Sequence, residues 1–176
     1  MDDNEDTFYD TPQKTMVDVL WRTFYRGDVL RGQINAHVIS DRHQAGQIPN
    51  EELLTPYEVK QNNDRYELFG KIGYLGFKNE TQSIGLIADV AYHELDSYYG
   101  NLNHQGVQRN AYINGMFSTG LDSVGTHKLD LGVSYTYDDY NEQLDQLDIS
   151  RTEKVVGAFA EYSFVSRVRS CEDDPY

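Results

Sequence analysis

The sequence predicts an all-β protein: an antiparallel, up-and-down transmembrane β-barrel segment of about seven strands, an incomplete arc of a larger barrel. Three observations carry this expectation. Apolar and polar residues alternate with period two along about seven stretches. The connections between stretches read alternately short and long. Charged residues gather on one side of the alternation and leave the other side nearly charge-free.

The elements follow in chain order. Residues 15–25 place Val17, Val19, Trp21, Thr23 and Tyr25 on one face, opposite a mixed face with Met16, Asp18, Leu20, Arg22 and Phe24. Arg26-Gly27-Asp28 supplies a tight turn. Leu30, Ile34, Ala36 and Val38 then oppose Arg31, Gln33, Asn35 and His37 as far as about Ser40. Residues 41–64 read as a long polar connection with Pro49 and Pro56. Tyr66, Leu68, Ile72 and Tyr74 oppose Glu67, Phe69, Lys71 and Gly73, and Lys78-Asn79-Glu80 reads as a short turn. Ile84, Leu86, Ala88, Val90 and Tyr92 form an unbroken apolar face against Ser83, Gly85, Asp89 and His93, with Ile87 and Ala91 as exceptions. Residues 94–107 read as the second long connection. Ala111, Ile113, Gly115 and Phe117 oppose Tyr112, Asn114, Met116 and Ser118, and residues 120–125 form a third short turn. Leu129, Leu131, Val133, Tyr135 and Tyr137 oppose Asp130, Gly132, Ser134 and Thr136 before an acidic loop over residues 138–150. The last strand sets Val156, Ala158, Ala160, Tyr162 and Phe164 against Gly157, Phe159, Glu161 and Ser163.

Face chemistry favours a membrane over a soluble core. Asp18, Arg22, Arg31, Glu67, Lys71, Asp89, Asp130 and Glu161 share the polar side. A charge facing lipid at mid-depth costs about 2–4 kcal/mol, so a bilayer enforces this segregation. Tyr25 and Tyr74 mark one end of the strands, and Tyr66, Tyr92 and Tyr137 the other, as two interfacial belts would. The strand glycines Gly32, Gly70, Gly73, Gly76, Gly85, Gly115, Gly132 and Gly157 read as curvature devices. Seven strands do not close a single-chain bacterial barrel, which takes an even number. Open edges in hydrocarbon leave backbone groups unsatisfied at several kcal/mol each. The expectation is therefore a partial β-barrel domain over residues 1–166, followed by an unstructured tail over 167–176.

Composition excludes other classes. The net charge of -14 argues against nucleic acid, whose phosphates need a positive surface. The 14 tyrosines suit interfacial belts. Cys171 is the sole cysteine, so no intrachain disulfide forms. The start, Met-Asp-Asp-Asn-Glu-Asp, has neither a basic region nor an apolar one, and the expectation is a fragment without a signal peptide.

Catalytic chemistry has no support. The five histidines are scattered, and His93, Glu94 and Asp96 form the nearest approach to a metal cluster. The acidic run Asp138, Asp139, Asn141, Glu142, Asp145 and Asp148 lacks the glycine and ligand spacing of a calcium loop. No nucleophile elbow or phosphate loop is present. The expectation is no enzyme, no cofactor and no metal. Tyr98, Tyr99 and Asn101, in the second long connection, are the candidate substrate-contact residues, because rigid aromatics give contact area at low entropy cost.

Three stretches carry a family resemblance. They are Ser97-Tyr98-Tyr99-Gly100-Asn101 with Gln108-Arg109-Asn110-Ala111-Tyr112, then residues 127–140, then residues 151–162. With Asp10-Thr11-Pro12 and the Trp21-Arg22 strand, they resemble the barrel domain of TonB-dependent outer-membrane receptors of the Bacteroidetes type. The resemblance implies a 22-stranded barrel filled by a plug domain, importing an iron chelate, cobalamin or a glycan. Its implied partners are the missing plug, the remaining barrel strands, outer-membrane lipid and, through the plug, an inner-membrane energy-coupling complex. A fragment with neither plug nor coupling box is not expected to transport alone. A passive porin-like protein and a soluble all-β ligand-binding module are the alternatives.

Overall fold

The computed structural model describes residues 7–48, 55–122 and 126–165. They form one antiparallel sheet of eight strands: β1 (Gln13–Arg26), β2 (Leu30–Gly46), β3 (Glu58–Tyr74), β4 (Ser83–Tyr99), β5 (Leu102–Gly120), β6 (His127–Leu144), β7 (Leu147–Asp148) and β8 (Arg151–Phe164). Each long strand pairs with its predecessor as a meander, and both two-residue β7 and β8 pair with β6. The outer edges of β1 and β8 have no partner among the described residues, so the sheet is open, an incomplete barrel arc. The expected C-terminal tail lies outside the described residues.

Register keeps the two faces pure across the sheet. Thr23, Ile34, Gly70, Ala88, Ile113, Tyr135 and Val156 form one continuous row, each paired with the next. The next residue on each strand belongs to the opposite face, because a strand alternates sides at every step.

No hydrophobic residue is buried among those described. On β4 the aliphatic residues Ile84, Leu86 and Val90 are the exposed ones, while Asp89 and His93 on the other face are half-buried. In a single curved layer, side chains splay apart on the convex side and crowd on the concave side. The apolar face is therefore convex and the polar face concave, the inverse of a soluble barrel. Aromatics gather at two levels of the sheet. At one, Tyr66 and Tyr92, cross-strand partners midway along β3 and β4, have ring centres 6.3 Å apart, so the outer belt expected at the strand ends falls at mid-strand because the strands run on beyond it. Tyr74, Phe77 and Phe117 form an edge-to-face chain at the other.

The connections differ from the sequence expectation. Residues 94–107 are not a long loop: β4 runs to Tyr99 and β5 starts at Leu102, leaving only Gly100 and Asn101 between them. The expected loop over 41–64 shrinks to residues 47–57, of which 49–54 lie outside the described residues. The acidic stretch over 138–150 is mostly ladder, since β6 reaches Leu144. The physical reason is that alternation in the sequence reports only the apolar half of each strand. Beyond it both faces are polar, the period-two signal vanishes, and backbone pairing continues regardless. Cross-strand ion pairs such as Arg109 with Asp139, at 3.3 Å, support these extensions. Conversely, the expected three-residue turn at Lys78 spans residues 75–82 and takes in Gly76, which is not a strand glycine.

Gly132 shows why a glycine stands mid-strand. It pairs directly with Phe159, whose ring covers the space a Cβ would occupy. Gly132→Ala is expected to evict the ring and destabilise the β6–β8 pairing by about 1–3 kcal/mol. Denaturant unfolding of Gly132→Ala and of Gly132→Ala with Phe159→Ala checks this. The second substitution should restore much of the loss, and equal losses in both would contradict it.

Candidate functional site

The strand ends opposite the β1–β2 and β3–β4 connections carry the candidate contact residues. Tyr98 and Tyr99 close β4, 38% and 37% exposed. They do not form one surface. Tyr98 pairs with Lys60 and Asn103, Tyr99 with Val59 and Leu102, so they stand on opposite faces, Tyr99 on the concave one. Asn101 sits in the tight turn, its backbone N–H donating to the Tyr99 carbonyl at 2.7 Å.

Tyr57 is the residue that sequence reasoning missed. It precedes β3, and its backbone N–H donates to Gln47 Oε1 at 2.8 Å while its carbonyl accepts from the Gln47 N–H at 2.7 Å. Its ring lies against Gly100, and the Gly100 N–H donates to the Glu58 carbonyl at 2.7 Å. The β2–β3 connection is thereby fastened to the β4–β5 turn. Gly100 adopts φ +67°, a left-handed conformation that glycine accepts at little cost. A similar clasp joins β5 to the β6–β7 turn. The Asn103 N–H donates to Asp145 Oδ1 at 2.8 Å, and the Asp145 N–H donates to the Asn103 carbonyl at 2.7 Å. Arg151 bridges Glu142 and Glu153, each at 3.0 Å, and lies 3.9 Å over the Tyr140 ring. The acidic stretch is thus consumed by internal bonds.

Below these ends the concave face carries a polar hollow of about 230 Å³ lined by Arg65, Ala91, His93, Gln108 and Asn110. Asp138 accepts from Asn110 at 2.8 Å and from Gln108 at 3.3 Å, and Gln108 also donates to the Tyr140 hydroxyl at 3.1 Å. Arg65 is held by Glu67 at 2.8 Å, and the His93 imidazole meets Asn63. With the amide nitrogens turned towards these acceptors, the amide oxygens of Gln108 and Asn110 remain as acceptors in the hollow that Arg65 also lines. The arrangement offers hydrogen-bond donors and acceptors to a polar group in the hollow. His93 stands on the concave face and Glu94 and Asp96 on the convex one, so they do not assemble. No group of three metal-ligating side chains exists among the described residues.

Asp64 shows the electrostatics of the extensions. The hydrogen bond from Arg42, at 2.6 Å, holds its carboxyl below the usual aspartate value, with Ser40 assisting against some burial. A depressed carboxyl stabilises the fold above the unfolded value, near 3.8, and loses that stabilisation as pH falls through the lower folded value. The pair is partly exposed, worth at most about 1 kcal/mol. Hydrogen-exchange protection of the rungs around Arg42 and Asp64 is therefore expected to fall by up to about fivefold between pH 5 and pH 2, after correction for intrinsic rates. Arg42→Ala should flatten that dependence, and an unchanged profile in the variant would contradict the assignment.

No family model matches the chain. No curated protein matches it. Among solved structures, the ferric yersiniabactin uptake receptor FyuA from Yersinia pestis is similar at 12% identity with a TM-score of 0.48. The similarity covers 86% of this chain and only 25% of that receptor.

Proposed function

We propose that this chain is part of the wall of an outer-membrane barrel of the TonB-dependent receptor type, taking part in import of a scarce nutrient such as an iron chelate, cobalamin or a glycan. One observation carries the reading: the aliphatic face is the exposed, convex face, and within the apolar band the charged residues stand on the concave face. Outer-membrane lipid is the solvent that suits the first, and a water-lined lumen suits the second. Strand length supports it. Seventeen residues in each of β2, β3 and β4 span about 55 Å, well beyond the roughly 30 Å of hydrocarbon even when tilted. The surplus stands outside as hairpin, where Tyr99 and Asn101 meet arriving substrate and Tyr98 faces outward. Further strands continue the open edges of β1 and β8, and a plug fills the concave side and links the barrel to an inner-membrane energy source. The motif resemblance in residues 97–112, 127–140 and 151–162 supports the receptor type over a passive pore.

Spin labels placed singly at residues 84 to 93, in a Cys171→Ser background and in lipid vesicles, test the membrane assignment. Collision with oxygen should peak at 84, 86, 88, 90 and 92, and collision with a water-soluble nickel complex at the odd positions. Two profiles in phase, or the reverse assignment, would sink the proposal.

A further inference from the structure

The concave face has a second hollow, of about 770 Å³, at the end where β1 turns into β2. Its walls include Phe24, Arg26, Arg31, Lys71, Ile87 and Met116. Its floor is bare backbone. Gly73 and Gly85 pair side by side, and a Cβ built on Gly73 comes no closer than 4.0 Å to any neighbour, one on Gly85 no closer than 3.8 Å. An extended chain can approach such a floor closely.

The charge here runs against the rest of the molecule. The chain carries -14 overall, and most cations towards the outer ends of the strands are matched: Lys14 to Asp41, Arg42 to Asp64, Lys60 to Glu58, Arg65 to Glu67, Arg109 to Asp139 and Arg151 to Glu142, while Lys154 lies over the Tyr137 ring. Arg26, Arg31 and Lys71, which line the hollow, and Arg22, on β1 just beyond its lining, form no ion pair with a carboxylate among the described residues, although Asp28 lines the same hollow. Arg26 and Arg31 are direct cross-strand partners, and like charges in that position destabilise the pairing. Lys71 follows on β3 beside Gln33, and Arg22 lies one turn of the pleat further along β1. With strands about 4.8 Å apart and a rise of about 3.3 Å per residue, the four cations spread over roughly 10 by 13 Å. That area exceeds one phosphate or carboxylate and matches several carboxylates on one chain.

The geometry points to a docking surface for an acidic, extended polypeptide segment, seated on the Gly73–Gly85 floor with its carboxylates against Arg22, Arg26, Arg31 and Lys71. The inference rests on the barrel-wall reading above and deepens it, since it gives the chemistry and the place of one contact with whatever fills the arc.

Full-length chain in detergent micelles, titrated into fluorescein-labelled pentaglutamate and pentaglutamine peptides, tests it by anisotropy. Pentaglutamate should bind at least tenfold more tightly than pentaglutamine and weaken as salt rises. Arg26→Glu/Arg31→Glu/Lys71→Glu should abolish the binding, the milder Arg31→Gln/Lys71→Gln should weaken it at least threefold, and Lys14→Glu should leave it intact. Gly73→Leu, which fills the floor without touching charge, should weaken pentaglutamate binding as well. Equal affinity for the two peptides, or undiminished binding by Arg31→Gln/Lys71→Gln with an unaltered circular dichroism spectrum, overturns the inference. So does inorganic phosphate displacing the peptide at matched charge concentration, which would mark a small-anion site. Loss of the spin-label periodicity would instead defeat the barrel-wall reading, so the two failures are told apart.

Discussion

Val133→Arg is expected to destabilise the protein in lipid by about 2–4 kcal/mol, while Ser134→Arg, one residue along the same strand, stays within about 0.5 kcal/mol. Val133 is 64% exposed at the centre of the apolar row of β6. Ser134 stands on the concave face between Asn114 and Gly157. The two substitutions have the same chemistry and differ only in the medium the guanidinium meets. On the barrel-wall reading, at Val133 it enters hydrocarbon and must be desolvated or drag water inward, and at Ser134 it enters a polar lumen. Urea unfolding from lipid vesicles, followed by Trp21 fluorescence, measures both. In a soluble protein the exposed Val133 would be the tolerant position and the half-buried Ser134 the sensitive one. A larger loss at Ser134 would therefore reverse the assignment of the faces.

Gly46→Ala is expected to cost about 1–3 kcal/mol, confined to the outer part of the β2–β3 hairpin. Gly46 has φ +118°, outside the range that L side chains adopt. A Cβ there would overlap the Tyr57 carbonyl oxygen and come within 3.0 Å of Glu58 Cα. Both obstacles are backbone, so the clash moves the ladder itself rather than one rotamer. The consequence reaches further than the hairpin, because Tyr57 also covers Gly100. Amide exchange of residues 42–46 and 58–62 should quicken by about 5- to 150-fold, with residues 66–72 unchanged. Gly100→Ala should act more weakly, since its Cβ meets the Tyr57 ring, which turns aside. A uniform loss of protection over the whole of β2 and β3 would show that the clasp is not a local unit.

These two predictions divide along the line that separates sequence from structure. Val133 and Ser134 were assigned to their faces by alternation alone, and the register places them there. Gly46 and Tyr57 were invisible to the same reasoning. Residues 41–64 are polar on both sides, so nothing in their pattern distinguished a strand in water from a loop. Tyr98, Tyr99 and Asn101 show the same limit: adjacency in sequence grouped them, and the pleat of β4 sets the two tyrosines back to back.

The sequence by itself determined the strand order, the identity of each face and the segregation of charge, because a period of two leaves its mark at every residue of the apolar band. Only the tertiary structure decided how far the strands run beyond the apolar band, how Tyr57 ties two hairpins together, and which cations lack a partner. Those features depend on backbone pairing and on cross-strand neighbours such as Arg26 with Arg31, which are distant or unpatterned in sequence and meet only once the sheet has set its register.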